Sequence, residues 1–209
     1  MTPAGSGLAE RKIGAAMARP RVFDIEKAVE TATVLFWKNG YEQTSLADLT
    51  QAMGITPPSF YFAFKSKDSL FWRVVEHYQA TYLGYMEEAL RQPTARGVAE
   101  HVLYGSADTY AGTSHPRGCL IVNCSLPCSD DAIEIRRELA QRGRARQAKL
   151  RKRLQEAKSS GDLPSDSDPD ELARFILVVR WGMAMDSQSG ANRKDLHRTV
   201  ARAMKAWPT

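Results

Sequence analysis

The sequence predicts an all-α chain: a three-helix N-terminal unit containing a helix-turn-helix, joined by a long helix to a second, all-helical domain. Three observations carry that prediction. Apolar residues recur at helical spacing through nearly all of the 209 residues. Caps, first-position prolines and terminal glycines punctuate them at helix-sized intervals. The one short apolar run that composition would allow as a strand, residues 119 to 128, finds no convincing partner strand, and reads as a buried helix ended near Pro127.

Residues 1 to 18 contain Gly5, Gly7 and Gly14, several alanines and no periodicity, and are expected to be a flexible tail. Met17 opens Met-Ala-Arg-Pro-Arg, so the first 16 residues read as a tag or an upstream start. Asp24 is the expected cap of a first long helix with the stripe Ile25, Ala28, Val29, Ala32, Leu35 and Phe36, stopped by Gly40, with Tyr41 folding back. Ser45 caps a second helix carrying Leu46, Leu49 and Met53, and Gly54 ends it where a left-handed residue costs least. Thr56 is a further cap, and Pro57 and Pro58 take first-turn positions at which a missing N–H matters little. The helix they start, through Phe64, is barely two turns long and must be held by packing, which leaves its other face to be presented. A braced short second helix is the logic of the helix-turn-helix, whose second helix enters the major groove. Phe64 is expected in the core. For Phe60 and Phe62, burial in the core is the plain alternative to a role at the surface.

Ser66 caps a fourth helix expected to reach about Leu90 as a rigid lever, with Leu70, Phe71, Val74, Val75, Tyr78, Tyr82, Tyr85 and Met86 at helical periods. A helix over 95 to 111 and a loop over 112 to 118 follow. Residues 131 to 158 form a long helix with ten basic against four acidic residues. A nucleic-acid or membrane patch and a solvated face are both readings of it, and distance in sequence from residues 44 to 64 favours the solvated face. Asp168-Pro169-Asp170-Glu171 starts a helix apolar over much of its circumference, and the last helix spans about 193 to 207.

Residues 40 to 71, Gly-Tyr-Glu-Gln-Thr-Ser through Phe-Tyr-Phe-Ala-Phe-Lys-Ser-Lys-Asp-Ser-Leu-Phe, resemble the DNA-binding domain of TetR-family transcriptional regulators. Pro57-Pro58 and Phe60 depart from the family pattern in the region that reads bases. The resemblance implies three divisions: a tail (1–18), a DNA-binding domain (19–66), and a ligand-binding and dimerisation domain (67–209). It implies a ligand-responsive repressor that binds a palindromic double-stranded DNA operator as a homodimer through about 168–207, released by a small apolar or amphipathic inducer. Carried over by motif, Thr44, Ser45, Thr56, Pro57, Pro58, Ser59, Tyr61, Lys65 and Lys67 are the expected DNA contacts. Arg19 and Arg21 are candidate minor-groove arms. The expected effector pocket is lined by Tyr82, Met86, Tyr104, Tyr110, Trp181 and Met185, each equally explained as core.

The net charge of +5 permits a polyanionic partner. Yet acids outnumber bases over residues 41 to 92, so binding there must rest on placement. Three cysteines, an odd number, argue against a disulfide framework and for a reducing, cytoplasmic setting. No long apolar run or signal-like N-terminus suggests a membrane role. Cys119, Cys124 and Cys128 have three readings: a weak metal site with His115, a redox or electrophile sensor activated by neighbours such as Arg117, or buried small hydrophobes. No cofactor is expected. His77, His101, His115 and His197 are scattered, with no nucleophile elbow or phosphate loop, so an enzyme is not expected. A ligand-independent nucleic-acid binder is the remaining alternative.

Overall fold

The computed structural model describes residues 24–125 and 132–208. Among these the chain forms ten α-helices and one 3₁₀ turn, with no strand. Arg19, Arg21 and Cys128 lie outside the described residues.

Helix α1 (Ile25–Asn39) starts where Asp24 Oδ1 accepts from the Lys27 amide at 3.1 Å. It stops at Gly40, whose positive φ of 80° returns its N–H to the Phe36 carbonyl. Tyr41 then folds back to stack on Phe36, as expected. The buried stripe differs at both ends from the expected one: Ile25 is exposed, and Trp37 is fully enclosed. Trp37 is packed edge-on by Tyr78 and Tyr82 and face-on by His115, aromatic contacts that add to the roughly 1.5–3 kcal/mol of burying such a side chain.

Helices α2 (Leu46–Met53) and α3 (Pro57–Phe64) pack against α1 and α4 (Lys67–Tyr82). The long lever does not form. Helix α4 ends at Tyr82, Leu83 leaves helical geometry, and α5 (Gly84–Ala89) restarts the chain at an angle. Leu83 is buried at the bend and Gly84 is a poor helix former. The bend lays α5 on α6 (Ala95–Tyr110), where the Tyr85 ring crosses Gly105 so closely that a Cβ there would sit 2.6 Å from Tyr85 Cδ2. Gly105→Ala is therefore expected to destabilise the fold by about 1–3 kcal/mol. At about 2–4 °C per kcal/mol for a chain this size, thermal unfolding would detect the loss.

The apolar run becomes α7 (Leu120–Ser125), which seats on the end of α1. Asn123 Nδ2 donates to the Trp37 carbonyl at 2.7 Å, an acceptor of the kind a helix end leaves open, and Cys124 Sγ donates to the Phe36 carbonyl at 3.6 Å, which also accepts from Gly40. Gln188 of α9 (Pro169–Gln188) in turn donates to Asn123 Oδ1.

Helix α8 (Ile133–Ser159) holds the basic run, and some of its cations are structural. Arg153 donates to the carbonyls of Leu90, Gln92 and Pro93, Arg142 lies over the Trp72 ring, and Lys158 donates to the Ser167 carbonyl. Helix α9 is sandwiched between α6 and α8, and α10 (Arg193–Ala203) closes over α6. The apolar residues of α10 and the 3₁₀ turn, Leu196, Val200, Met204 and Trp207, are all buried within the chain.

Candidate nucleic-acid interface and effector groove

The turn between α2 and α3 is built as a hinge of caps. Ser45 Oγ accepts from the Asp48 amide, and Asp48 Oδ2 accepts from both the amide and the hydroxyl of Ser45, at 2.8 and 2.6 Å. Those bonds hold the Asp48 carboxyl below its ordinary value. Gly54 takes the left-handed conformation (φ 66°, ψ 36°), and the Ile55 amide returns to the Thr50 carbonyl at 3.0 Å. Thr56 then caps α3: its hydroxyl meets that of Ser59 at 3.0 Å.

Helix α3 divides cleanly. Phe60 and Phe64, four residues apart, are buried and brace the helix from below. Thr56, Pro57, Pro58, Ser59 and Tyr61 are exposed, and Phe62 stands 93% exposed. Among the described residues it is the most exposed of the large hydrophobic side chains. Of the residues expected at a DNA contact, Ser45, Thr56, Pro57, Pro58, Ser59, Tyr61 and Lys65 are brought to this end of the molecule as exposed groups. Thr44 is not: it is buried, and its hydroxyl donates to the Gly40 carbonyl at 2.7 Å. Lys67 lies half-buried with Nζ 4.2 Å over the Tyr41 ring, and burial pushes its pKa below the ordinary lysine value.

Lys65 joins α3 to α4 with φ 66° and ψ −43°, the one positive φ outside glycine among the described residues. The Ser66 amide donates to the Phe64 carbonyl at 2.8 Å across it, so Lys65 is the centre of a strained γ-turn. Lys65→Gly should relieve that strain and raise stability by about 1 kcal/mol, a few degrees in Tm. On the expectation from the resemblance that Lys65 meets a phosphate, it should also lower DNA affinity and cut the slope of log affinity against log salt by about 1 to 2 for a dimer. Thermal unfolding and a salt titration check the two signs separately.

The six residues expected to line a pocket do not meet. Tyr82 donates to Glu30 Oε1 at 3.0 Å and serves the α1–α4 contact, and Tyr104 lies edge-on to His197 beneath α10. Met86, on α5, packs against the core, and Tyr110 is fully enclosed. Trp181 and Met185 line a groove of about 1040 Å³ between α7, α8 and α9, and the other four do not line it. Its other walls include Ile121, Val122, Leu177 and Arg146, none of which sequence periodicity singled out. Val178 and Trp181 on its rim are 53% and 51% exposed.

The cysteines bear on three expectations. Cys119 is buried and accepts from the Tyr78 hydroxyl at 3.5 Å, and Cys124 is buried on the α1 terminus. His115 stacks on Trp37, and among the described residues no group of three His, Cys, Asp or Glu is arranged to hold a metal. Arg117 donates to the carbonyls of Ser187 and Ala191, which anchors the end of α9.

Comparison with known proteins places both halves in one group. Residues 28–74 match the family described as bacterial regulatory proteins, tetR family, and residues 101–207 match the tetracyclin repressor-like C-terminal domain. The chain is 29% identical over 192 residues to the HTH-type transcriptional repressor ComR of Escherichia coli (strain K12), covering 91% of each. It is 26% identical over 182 residues to the HTH-type transcriptional repressor DhaR of Mycobacterium sp. (strain GP1), covering 85% of this chain and 89% of that one. Among solved structures, a cysteine mutant of the TetR family transcriptional regulator CifR, complexed with 26-base-pair operator DNA, superposes with a TM-score of 0.85. It is 37% identical, and the match covers 91% of this chain and all of that one.

Proposed function

This chain belongs to the TetR family of bacterial regulatory proteins, and we propose from that premise that it is a ligand-responsive repressor gripping a palindromic operator as a homodimer. The carrying observation is the exposed edge of α3, braced by Phe60 and Phe64 and crowned by Phe62. Residues 19–66 supply DNA recognition and 67–209 sensing and dimerisation, in the cytoplasm and with no catalytic role. In this reading Ser59 hydrogen-bonds a base or phosphate. Pro57, Pro58 and Phe62 make apolar contacts of the kind that suit a thymine methyl, and Tyr61 reaches the backbone. Ser45, Lys65 and Lys67 meet phosphates at the flanks, with Arg19 and Arg21 as arms. Thr44 supports the contact from within through its bond to Gly40.

Dimerisation uses the exposed rim of α9, Val178, Trp181 and Met185, at the spacing of one helical face. The effector occupies the α7–α8–α9 groove. The path from groove to DNA runs along Gln188, Asn123 and the Trp37 carbonyl, so a ligand that fits only one seating of α7 shifts the spacing of the two α3 helices. Selecting duplexes from a random pool with the purified protein, then screening compounds for release, tests this. A twofold-symmetric sequence should emerge, and the absence of any enriched duplex at low salt would refute the reading.

One observation supports a second, thiol-based trigger. Cys124 Sγ bonds the α1 terminus, so modifying it would lift α7 from its seat. Release unaffected by thiol-blocking reagents would dismiss that variant.

A further inference from the structure

Arg180 is a guanidinium only 4% exposed, in the middle of α9. Its Nε donates to Ser106 Oγ at 2.9 Å, its Nη2 lies 3.3 Å from the Tyr85 hydroxyl, and the Tyr110 ring faces it at 5.7 Å. None of these partners is a carboxylate, and burial pushes the Tyr110 phenol well above its ordinary value. Among the described residues no carboxylate pairs with Arg180. A charge taken out of water without a counter-charge is expensive, and neutral hydrogen bonds offset only some of that.

A second guanidinium compounds the imbalance. Arg146 of α8 lines the groove and also lacks an ion-pair partner among the described residues. Burial first, and then the charge of Arg180, press its pKa down. The same groove is lined by Ile121, Val122, Leu177 and Trp181, and by Arg136, Arg137 and Arg144. Apolar walls therefore lead to positive charge that no described carboxylate balances. We propose that this groove binds an amphipathic carboxylate, its apolar chain or ring against α7 and α9 and its carboxylate drawn to Arg146, with the field of Arg180 behind. The inference deepens the effector reading above and rests on it.

A second copy of the chain does not satisfy this charge. A twofold contact uses the same patch on both copies, and this groove is lined by Arg136, Arg137, Arg144 and Arg146 with no carboxylate, so a matching patch supplies no counter-charge, and what a pair of copies can press together is the apolar rim of α9. Nucleic acid fits poorly as well, because a phosphate backbone gains nothing from the apolar wall.

The test is calorimetric titration of the full-length protein with decanoate, decanol and decylamine, which share a chain and differ in head group. Decanoate should bind at least tenfold tighter than decanol, with decylamine weakest. Arg146→Gln, on the groove wall, should bring decanoate to within about threefold of decanol. Gly143→Leu should weaken both by about tenfold by filling the groove, and it should fold, since a Cβ at Gly143 meets nothing within 4 Å. Decanol matching decanoate in the parent protein, no binding of any probe, or displacement of decanoate by an unrelated duplex would overturn the proposal. Decanoate that binds as expected yet leaves the operator complex intact would keep the carboxylate site and remove its effector role, which separates the two claims.

Discussion

Phe62→Ala is expected to leave folding untouched and to weaken operator binding by about a hundredfold or more. The ring is 93% exposed in the free chain, so its removal takes almost nothing from the core and stability should move by less than about 0.5 kcal/mol. Covered by DNA, the same ring would contribute roughly 1.5–3 kcal/mol per subunit, and a homodimer loses the contact twice. The control is Phe60→Ala, two residues away on the buried side. It should cost about 3–5 kcal/mol of stability and affect DNA binding only through unfolding. Thermal unfolding beside fluorescence anisotropy on the selected duplex separates the two. If Phe62→Ala binds like the parent, α3 does not present this edge to DNA.

Glutamate at the α9 rim should produce a folded monomer. Val178 and Trp181 are each about half exposed, so Val178→Glu with Trp181→Glu buries no new charge in the free chain. In a twofold interface the same substitutions place like charges together in a desolvated contact, which costs several kcal/mol. Sedimentation should then report half the parent mass. Operator affinity should fall by about 10² to 10⁴, the range gained when two linked modules bind together. An unchanged dimer would move the interface elsewhere and leave the rim unexplained.

Most of the N-terminal unit was legible because its determinants are local. Asp24, Ser45, Thr56 and Ser66 cap where caps were expected, and Gly40 and Gly54 turn where glycine is needed. What local pattern could not supply was the direction of the helix faces. Phe60, Phe62 and Phe64 belong to one apolar run, and only the 100° step between residues shows that Phe62 opposes the other two. The bend at Leu83 was hidden for a related reason. Tyr78, Tyr82, Tyr85 and Met86 keep their helical period across Gly84, so periodicity continues where the axis does not.

The effector site was the least readable region. A groove is a gap between helices distant in sequence, and aromatic residues such as Tyr82 and Tyr104 were better used in packing α1 and α10. Arg180 was the available clue, a single charge within the apolar stretch from Phe175 to Met185, which only a specific partner can reconcile with burial. The stripe of the terminal helix is used within the chain: Leu196, Val200, Met204 and Trp207 are buried there, and α10 packs on α6.

The central claim, that the exposed edge of α3 lies against bases, is most directly tested by site-specific photocrosslinking from position 59 to the selected duplex. A crosslinker carried at Ser59 should label bases at two positions related by the operator's twofold axis, while the same group carried at Arg144 on the basic α8 should label none. Crosslinks from position 144 with none from position 59 would contradict the account.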